Sequence, residues 1–224
     1  MACLGQATTL LLFSGCTLFP ERDRTSFRTP VRRMEAMQTL AEEAASKTPE
    51  QKREVAQTIS RQYQGEGDPL LRRQMIRTLA QYPQAESLAI LRLAAAQDAD
   101  VNVRVEAIRE IARLRPPDAV EQLASALQRD TEIDVRLAAA RALGEFPVSK
   151  KNSARDRRVL EALALALEDS DPALQYRVLE SLRSASGEDF GTDLSAWRTY
   201  AQTGAPPNRP SASLAEQFRG WLRF

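Results

Sequence analysis

The sequence predicts an all-α fold, a right-handed α-solenoid of about five helical hairpins followed by a C-terminal helix. Three observations predict it. Arg72, Arg104 and Arg136 recur every 32 residues, and Ile76, Ile108 and Ala140, then Leu79, Ile111 and Leu143, recur with them. Within each copy the apolar residues fall at i, i+3, i+4 and i+7, as in Val101, Val105, Ile108 and Ile111, the period of a helix buried along one face. Breakers then divide each copy in two: Pro83, Pro116 with Pro117, Gly144 with Pro147, and Gly187 with Gly191. A hairpin of this size cannot bury its apolar face alone, so successive copies must stack.

The elements follow in chain order. Residues 1–15 hold an apolar block, Ala7 to Phe13, then Ser14 and Gly15, with Cys16 next. That pattern reads as a secretory signal, too short to span a bilayer as a helix; the alternative is an ordinary apolar strand or helix start whose cysteine is incidental. Phe13-Ser14-Gly15-Cys16 resembles the lipobox of bacterial lipoproteins. The resemblance implies lipidation of Cys16 and a lipid anchor in the cell envelope, on the periplasmic side of the outer or inner membrane. Thr17 stands where an aspartate would resemble an inner-membrane retention signal, which points toward the outer membrane. Cys3 and Cys16 are the two cysteines of the chain, so nothing downstream forms a disulfide or a cysteine metal site. Residues 16–30, polar and proline-bearing, are expected to be a tether.

Residues 31–203 are expected to form the array. A looser, more polar pair, Val31 to Ser46 and Pro49 to Tyr63, begins it. First helices then open at Asp68, Asp100, Glu132 and Asp171, acids placed to cap free N–H groups and meet the positive end of the helix dipole. Second helices carry Leu88 and Leu91, then Val120, Leu123 and Leu127, then Leu160, Leu163 and Leu167. The last copy has Gln175 in the arginine position, after the polar insertion Val148 to Arg155.

The pattern D-x-x-V-R-x-x-A-x-x-A-L-G, carried by Asp134-Val135-Arg136, Ala139, Ala142, Leu143 and Gly144, resembles the first helix of HEAT repeats. The likeness is to the short bacterial type of phycobilisome lyase subunits. It implies fold more than function, since such arrays host unrelated tasks. The stretch from Gly187 to Tyr200 resembles a terminal HEAT unit, with Phe190 and Trp197 as packing residues. Asp189-Phe190-Gly191 spells a kinase tripeptide without the other kinase motifs, and is expected to be a loop. Residues 204–210 form a linker. Residues 211–224 form an amphipathic helix with Leu214, Phe218, Trp221 and Leu222 on one face. That helix either caps the last repeat or lies in a membrane interface.

Charge and composition narrow the function. Thirty-one Lys and Arg against 30 Asp and Glu give a net charge of +1, which argues against a nucleic-acid partner. Without histidine, Ser-His-Asp, Cys-His and HExxH chemistry are excluded. No catalytic residue, cofactor, metal or small-molecule substrate is expected.

The arginine ladder suits structural hydrogen bonding along the stack, each guanidinium reaching a neighbouring acid or free carbonyl. Lys150, Lys151, Arg155, Arg157 and Arg158 form a local basic cluster, either a solvated loop or a contact for an acidic partner or lipid headgroup. The function expected is a membrane-anchored protein-interaction scaffold. Its concave face, formed by second helices, would meet a protein partner through Arg92, Glu121, Gln122, Arg157, Arg158 and Glu161. The alternative is a cytoplasmic enzyme or enzyme accessory, such as a lyase subunit or an alkyl-base DNA glycosylase.

Overall fold

The computed structural model describes residues 29–149 and 153–207, so Cys16, the tether up to residue 28, Lys150, Lys151 and the C-terminal segment 208–224 lie outside it. Among the described residues there are ten α-helices and no strand. They are α1 (Pro30–Glu42), α2 (Pro49–Gln64), α3 (Pro69–Leu79), α4 (Ala85–Gln97) and α5 (Val101–Leu114). There follow α6 (Ala119–Arg129), α7 (Ile133–Gly144), α8 (Ala154–Ala166), α9 (Pro172–Ser186) and α10 (Leu194–Thr203). A 3₁₀ turn, Glu43–Ser46, extends α1.

Local sequence sets where these helices start. Pro30, Pro49, Pro69 and Pro172 stand in the first turns, where a missing N–H costs nothing. Thr48 and Gln51 form a reciprocal capping box, and Asp68, Asp100, Asp171 and Asp193 accept hydrogen bonds from amides of their own first turns. Glu132 departs from the expected pattern and makes no side-chain cap. Its extra methylene is the physical reason, since the short Asp, Asn, Ser and Thr side chains are the ones that reach back to the first amides.

Consecutive odd-numbered helices pack on one another from α1 to α9, and consecutive even-numbered helices do the same from α2 to α10. The result is two layers of five helices, an α-solenoid of five hairpins. One core lies between the layers. Ile76, Leu79, Ile108, Ile111, Ala140 and Leu143, the positions that recur in sequence, are all buried there, against Leu91, Leu123 and Leu163 of the second layer.

Val101 and Val105 are only half-buried, and the deepest face of α5 is Val103, Ala107, Ile108 and Ile111. That face is rotated because α5 is flanked by α3 and α7 while it also covers the second layer. In the first copy the layer is further bound by hydroxyls. Thr78 donates to the Met37 carbonyl at 3.0 Å, and Tyr82 donates to the Leu40 carbonyl.

Gly144 belongs to α7 and does not divide α7 from α8; the chain leaves the helix at Glu145 instead. A Cβ at Gly144 would lie 2.9 Å from both Cα and Cβ of Ser181, so the glycine is where α7 and α9 approach closely. Gly144→Ala is therefore expected to destabilise the protein by about 1–3 kcal/mol through overpacking, although Ala is the better helix former. Urea midpoints read it, and an unchanged or higher midpoint would mean that the two helices separate freely.

Candidate functional site

The predicted ladder exists, and its acceptors are acids two residues ahead of each next cap. Arg72 Nε and Nη2 donate to both carboxylate oxygens of Asp98 at 2.8 Å, while its Nη1 donates to the Gly67 carbonyl at 3.0 Å. Arg104 repeats this on Asp130 at 2.9 and 3.0 Å, with Nη1 on the Asp98 carbonyl at 2.8 Å. Arg136 bridges to Asp169, and Arg33 bridges to Glu66.

Each acid also accepts the backbone amide of the residue that opens the next first helix. Asp68 donates to Glu66, Asp100 to Asp98, Glu132 to Asp130 and Asp171 to Asp169, all at 2.9 Å. The bonds thus join the first helix of one hairpin to the turn that starts the next. Gln175 keeps only the carbonyl contact, donating to Asp169 O at 2.6 Å. The signal for these acceptors is the recurring acid-x-acid of Glu66-Gly67-Asp68, Asp98-Ala99-Asp100, Asp130-Thr131-Glu132 and Asp169-Ser170-Asp171.

A parallel set of bonds stitches the second layer. Gln57 donates to Glu86 at 3.1 Å, joining α2 to α4. Arg92 of α4 donates to Asp118, at the start of α6, at 2.8 Å, and Gln122 donates to the same carboxylate. Arg158 of α8 forks onto Glu121 of α6 at 2.8 and 3.0 Å, and Arg198 of α10 approaches Glu168 at 3.5 Å. Asp118 and Glu121 are held below the usual carboxylate range, first of all by Arg92 and by Arg158 respectively.

All six residues expected at a partner surface thus lie on the second helices α4, α6 and α8. Arg92, Glu121, Gln122 and Arg158 are engaged between repeats. Arg157 and Glu161, one turn apart on α8, are exposed and have no ion-pair partner among the described residues. A cleft of about 360 Å³ opens between α4 and α6, lined by Arg92, Gln122 and Arg129 over Ala95, Ala96 and Ala126.

The insertion between α7 and α8 is anchored by a residue that the sequence does not single out. Asp156 is 1% exposed. Its carboxylate accepts from the Ser149 hydroxyl at 2.8 Å, from Arg155 at 3.1 Å, and from the Ser149 and Ser153 amides at 3.2 Å. Arg155 is therefore tied to the loop, whatever the rest of the basic cluster does. At the far end Phe190 and Trp197 stack edge-on with centroids 4.6 Å apart, and Trp197 Nε1 donates to the Gly191 carbonyl at 3.2 Å. Gly187 and Gly191, both with positive φ, make the turn that brings them together.

These polar bonds give stability a pH dependence. Burial alone would raise the Asp98 carboxyl, but donation from Arg72, Tyr63 and the Asp100 amide outweighs it and lowers the value. Asp156 is likewise lowered, burial being overcome by Ser149, Arg155 and Ser153. A depressed folded-state pKa confers stability that is full above the unfolded value, about pH 4, and is lost as pH falls through the folded value. At the alkaline end Tyr82 is pushed up to about 12, by burial first and then by Glu43. Its contribution is complete below about pH 10 and is lost as pH rises toward the folded value. Urea midpoints should therefore fall below pH 4 and above pH 10, with a shallower acid slope in Asp156→Asn. An acid slope unchanged in that variant would remove Asp156 from the account.

Among the described residues no cluster of acids and cysteines could hold a metal ion, and no helix is long and apolar enough to cross a membrane. No curated protein matches the chain. The HEAT repeat family matches over residues 57–144 and again over 91–183, which together make more than half of the sequence. With five stacked hairpins and a side-chain ladder that repeats with them, the chain belongs to the HEAT repeat family.

Proposed function

We propose that this HEAT-repeat array is a non-enzymatic protein-interaction scaffold, held at an envelope membrane by a lipid on Cys16. The observation that carries the scaffold reading is the double stitching between hairpins, because it holds neighbouring helices in fixed register and so presents side chains on different repeats at constant spacing. The face of second helices is the docking surface for a protein segment. Arg157 and Glu161 are its exposed charges outside the bridges between repeats, and the cleft beside Arg92 and Gln122 is its recess. The lipobox-like sequence ending at Cys16 supports the membrane address, with residues 1–15 removed on export. The likeness to phycobilisome-lyase-type repeats bears on the repeat pattern, not on lyase activity.

The test uses the full chain and a Cys16→Ala variant in a bacterium that processes lipoproteins, each carrying a photo-crosslinking residue at Arg157, Glu161 or, as a control, the exposed Leu70 of α3. The reading expects acyl mass, loss of residues 1–15 and membrane sedimentation for the wild type only. It also expects a discrete adduct from Arg157 and Glu161 that is absent from Leu70. Equal solubility of both proteins overturns the address, and identical crosslinks from all three positions overturn the docking face.

A further inference from the structure

The opposite layer carries a second concavity, of about 430 Å³, where α7 lies between α5 and α9. Each of these three helices contributes one arginine: Arg109 from α5, Arg141 from α7 and Arg177 from α9. Several arginines of this layer are consumed in bridges between helices, as Arg77 is on the buried Glu106 at 2.7 and 2.8 Å. Here they are not. Arg109 and Arg177 have no ion pair among the described residues, and Arg141 has only its own helix neighbour Glu145 at 4.0 Å, both of them exposed. The floor is short and apolar, formed by Val105, Leu137, Ala138 and Ala142, so an incoming chain can approach closely. Asp134 and Glu145, the acids of this cleft, stand at opposite ends of α7.

We propose that this cleft docks an extended acidic segment of a partner protein, whose carboxylates pair with Arg109, Arg141 and Arg177 in turn. The face is distinct from the second-helix surface, and the proposal does not depend on that surface being used. Three considerations select the occupant. The described residues carry more acidic than basic side chains, so the arginine cluster runs against the charge of its surroundings, and three arginines in one cleft suit a short run of carboxylates, not a nucleic acid, whose binding needs many cations along a phosphate track. Neither residues 1–28 nor residues 208–224 offer a run of carboxylates. Residues 1–28 hold Arg22, Arg24 and Arg28 against Glu21 and Asp23, and residues 208–224 hold Arg209, Arg219 and Arg223 against Glu216. The geometry is also that of an extended peptide. Packed helices lie about 8–10 Å apart and a strand rises about 3.3 Å per residue, so one carboxylate every third residue meets one arginine per helix. A guanidinium fork donates two parallel hydrogen bonds to a carboxylate.

Fluorescence anisotropy of the full chain with a labelled peptide of repeated Asp-Ala-Ser triplets tests this. The Asn-Ala-Ser peptide and phosphatidylglycerol-containing vesicles serve as competing probes. Binding of the Asp peptide should weaken as salt rises. It should fall about two- to fivefold in each of Arg109→Gln, Arg141→Gln and Arg177→Gln, as for exposed ion pairs, and by at least tenfold in the triple variant. Arg53→Gln on α2 should bind as the wild type does. These arginines bridge no other helix, so the helical circular dichroism of the triple variant should be that of the wild type. The proposal is overturned if the Asp peptide does not bind, if the Asn peptide binds equally well, if Arg53→Gln lowers affinity as much as the cleft variants, or if vesicles bind and the peptide does not. Failure here with the Arg157 and Glu161 crosslinks intact would leave the scaffold reading standing.

Discussion

Asp98→Ala is expected to lower the free energy of unfolding by about 3–5 kcal/mol, the cost of removing one partner from a buried ion pair. Asp98 is 4% exposed as a side chain and serves four donor atoms at once: Nε and Nη2 of Arg72, the Tyr63 hydroxyl and the Asp100 amide. Removing the carboxylate orphans all of them at the junction between the second and third hairpins. Asp98→Asn, whose one carbonyl oxygen can still accept the Asp100 amide while its NH2 can donate to the Tyr63 hydroxyl, should lose less. Adding Arg72→Leu to Asp98→Ala should recover part of the loss, because an apolar side chain replaces an unpaired buried charge. Urea denaturation of the four proteins decides it. A loss below about 1 kcal/mol for Asp98→Ala would mean that the ladder is only surface decoration.

Trp197→Ala should cost a comparable amount, about 3–5 kcal/mol, with a different distribution along the chain. The indole is fully buried, stacks on Phe190 and donates to Gly191, so it holds the 187–193 turn against α10. In an array stabilised by nearest-neighbour contacts, damage to the last unit is felt there first. Hydrogen exchange should therefore show α10 losing protection while α3 to α6 keep theirs. Uniform loss along the chain, or none, would contradict this account of the C-terminal hairpin.

The architecture was legible in the sequence because its two signals are local. The 3.6-residue period marks each helix, and the recurrence of Arg72, Arg104 and Arg136 marks each repeat. What was not legible depends on residues far apart in sequence. Arg72 and Asp98 are 26 positions apart, and so are Arg104 and Asp130, so the arginine is easily seen while its acceptor looks like an ordinary loop acid. Gly144 looks like a breaker because it follows Leu143 at a helix end, yet Ser181, an α9 residue, is what requires it.

The candidate surface follows the same division. Helix phase placed Arg92, Glu121, Gln122, Arg157, Arg158 and Glu161 on second helices, but could not separate the pair outside the bridges, Arg157 and Glu161, from the four that stitch repeats together. The Arg109, Arg141 and Arg177 cleft is not legible in the sequence for a geometric reason. Arg109 and Arg141 keep the 32-residue spacing, but Arg177 falls 36 residues later, outside the repeat register, and only the packing of α9 on α7 brings it to the same cleft.

Rigid presentation is the central claim, and hydrogen exchange of the wild-type full chain measures it most directly. If the hairpins act as one stitched body, the amides of α3 to α8 should exchange through a common opening of similar free energy, with faster exchange confined to α1 and α10. Independent exchange of hairpins or of single helices, such as α4 or α6 opening while α3, α5 and α7 stay protected, would contradict it and leave no fixed surface for a partner to meet.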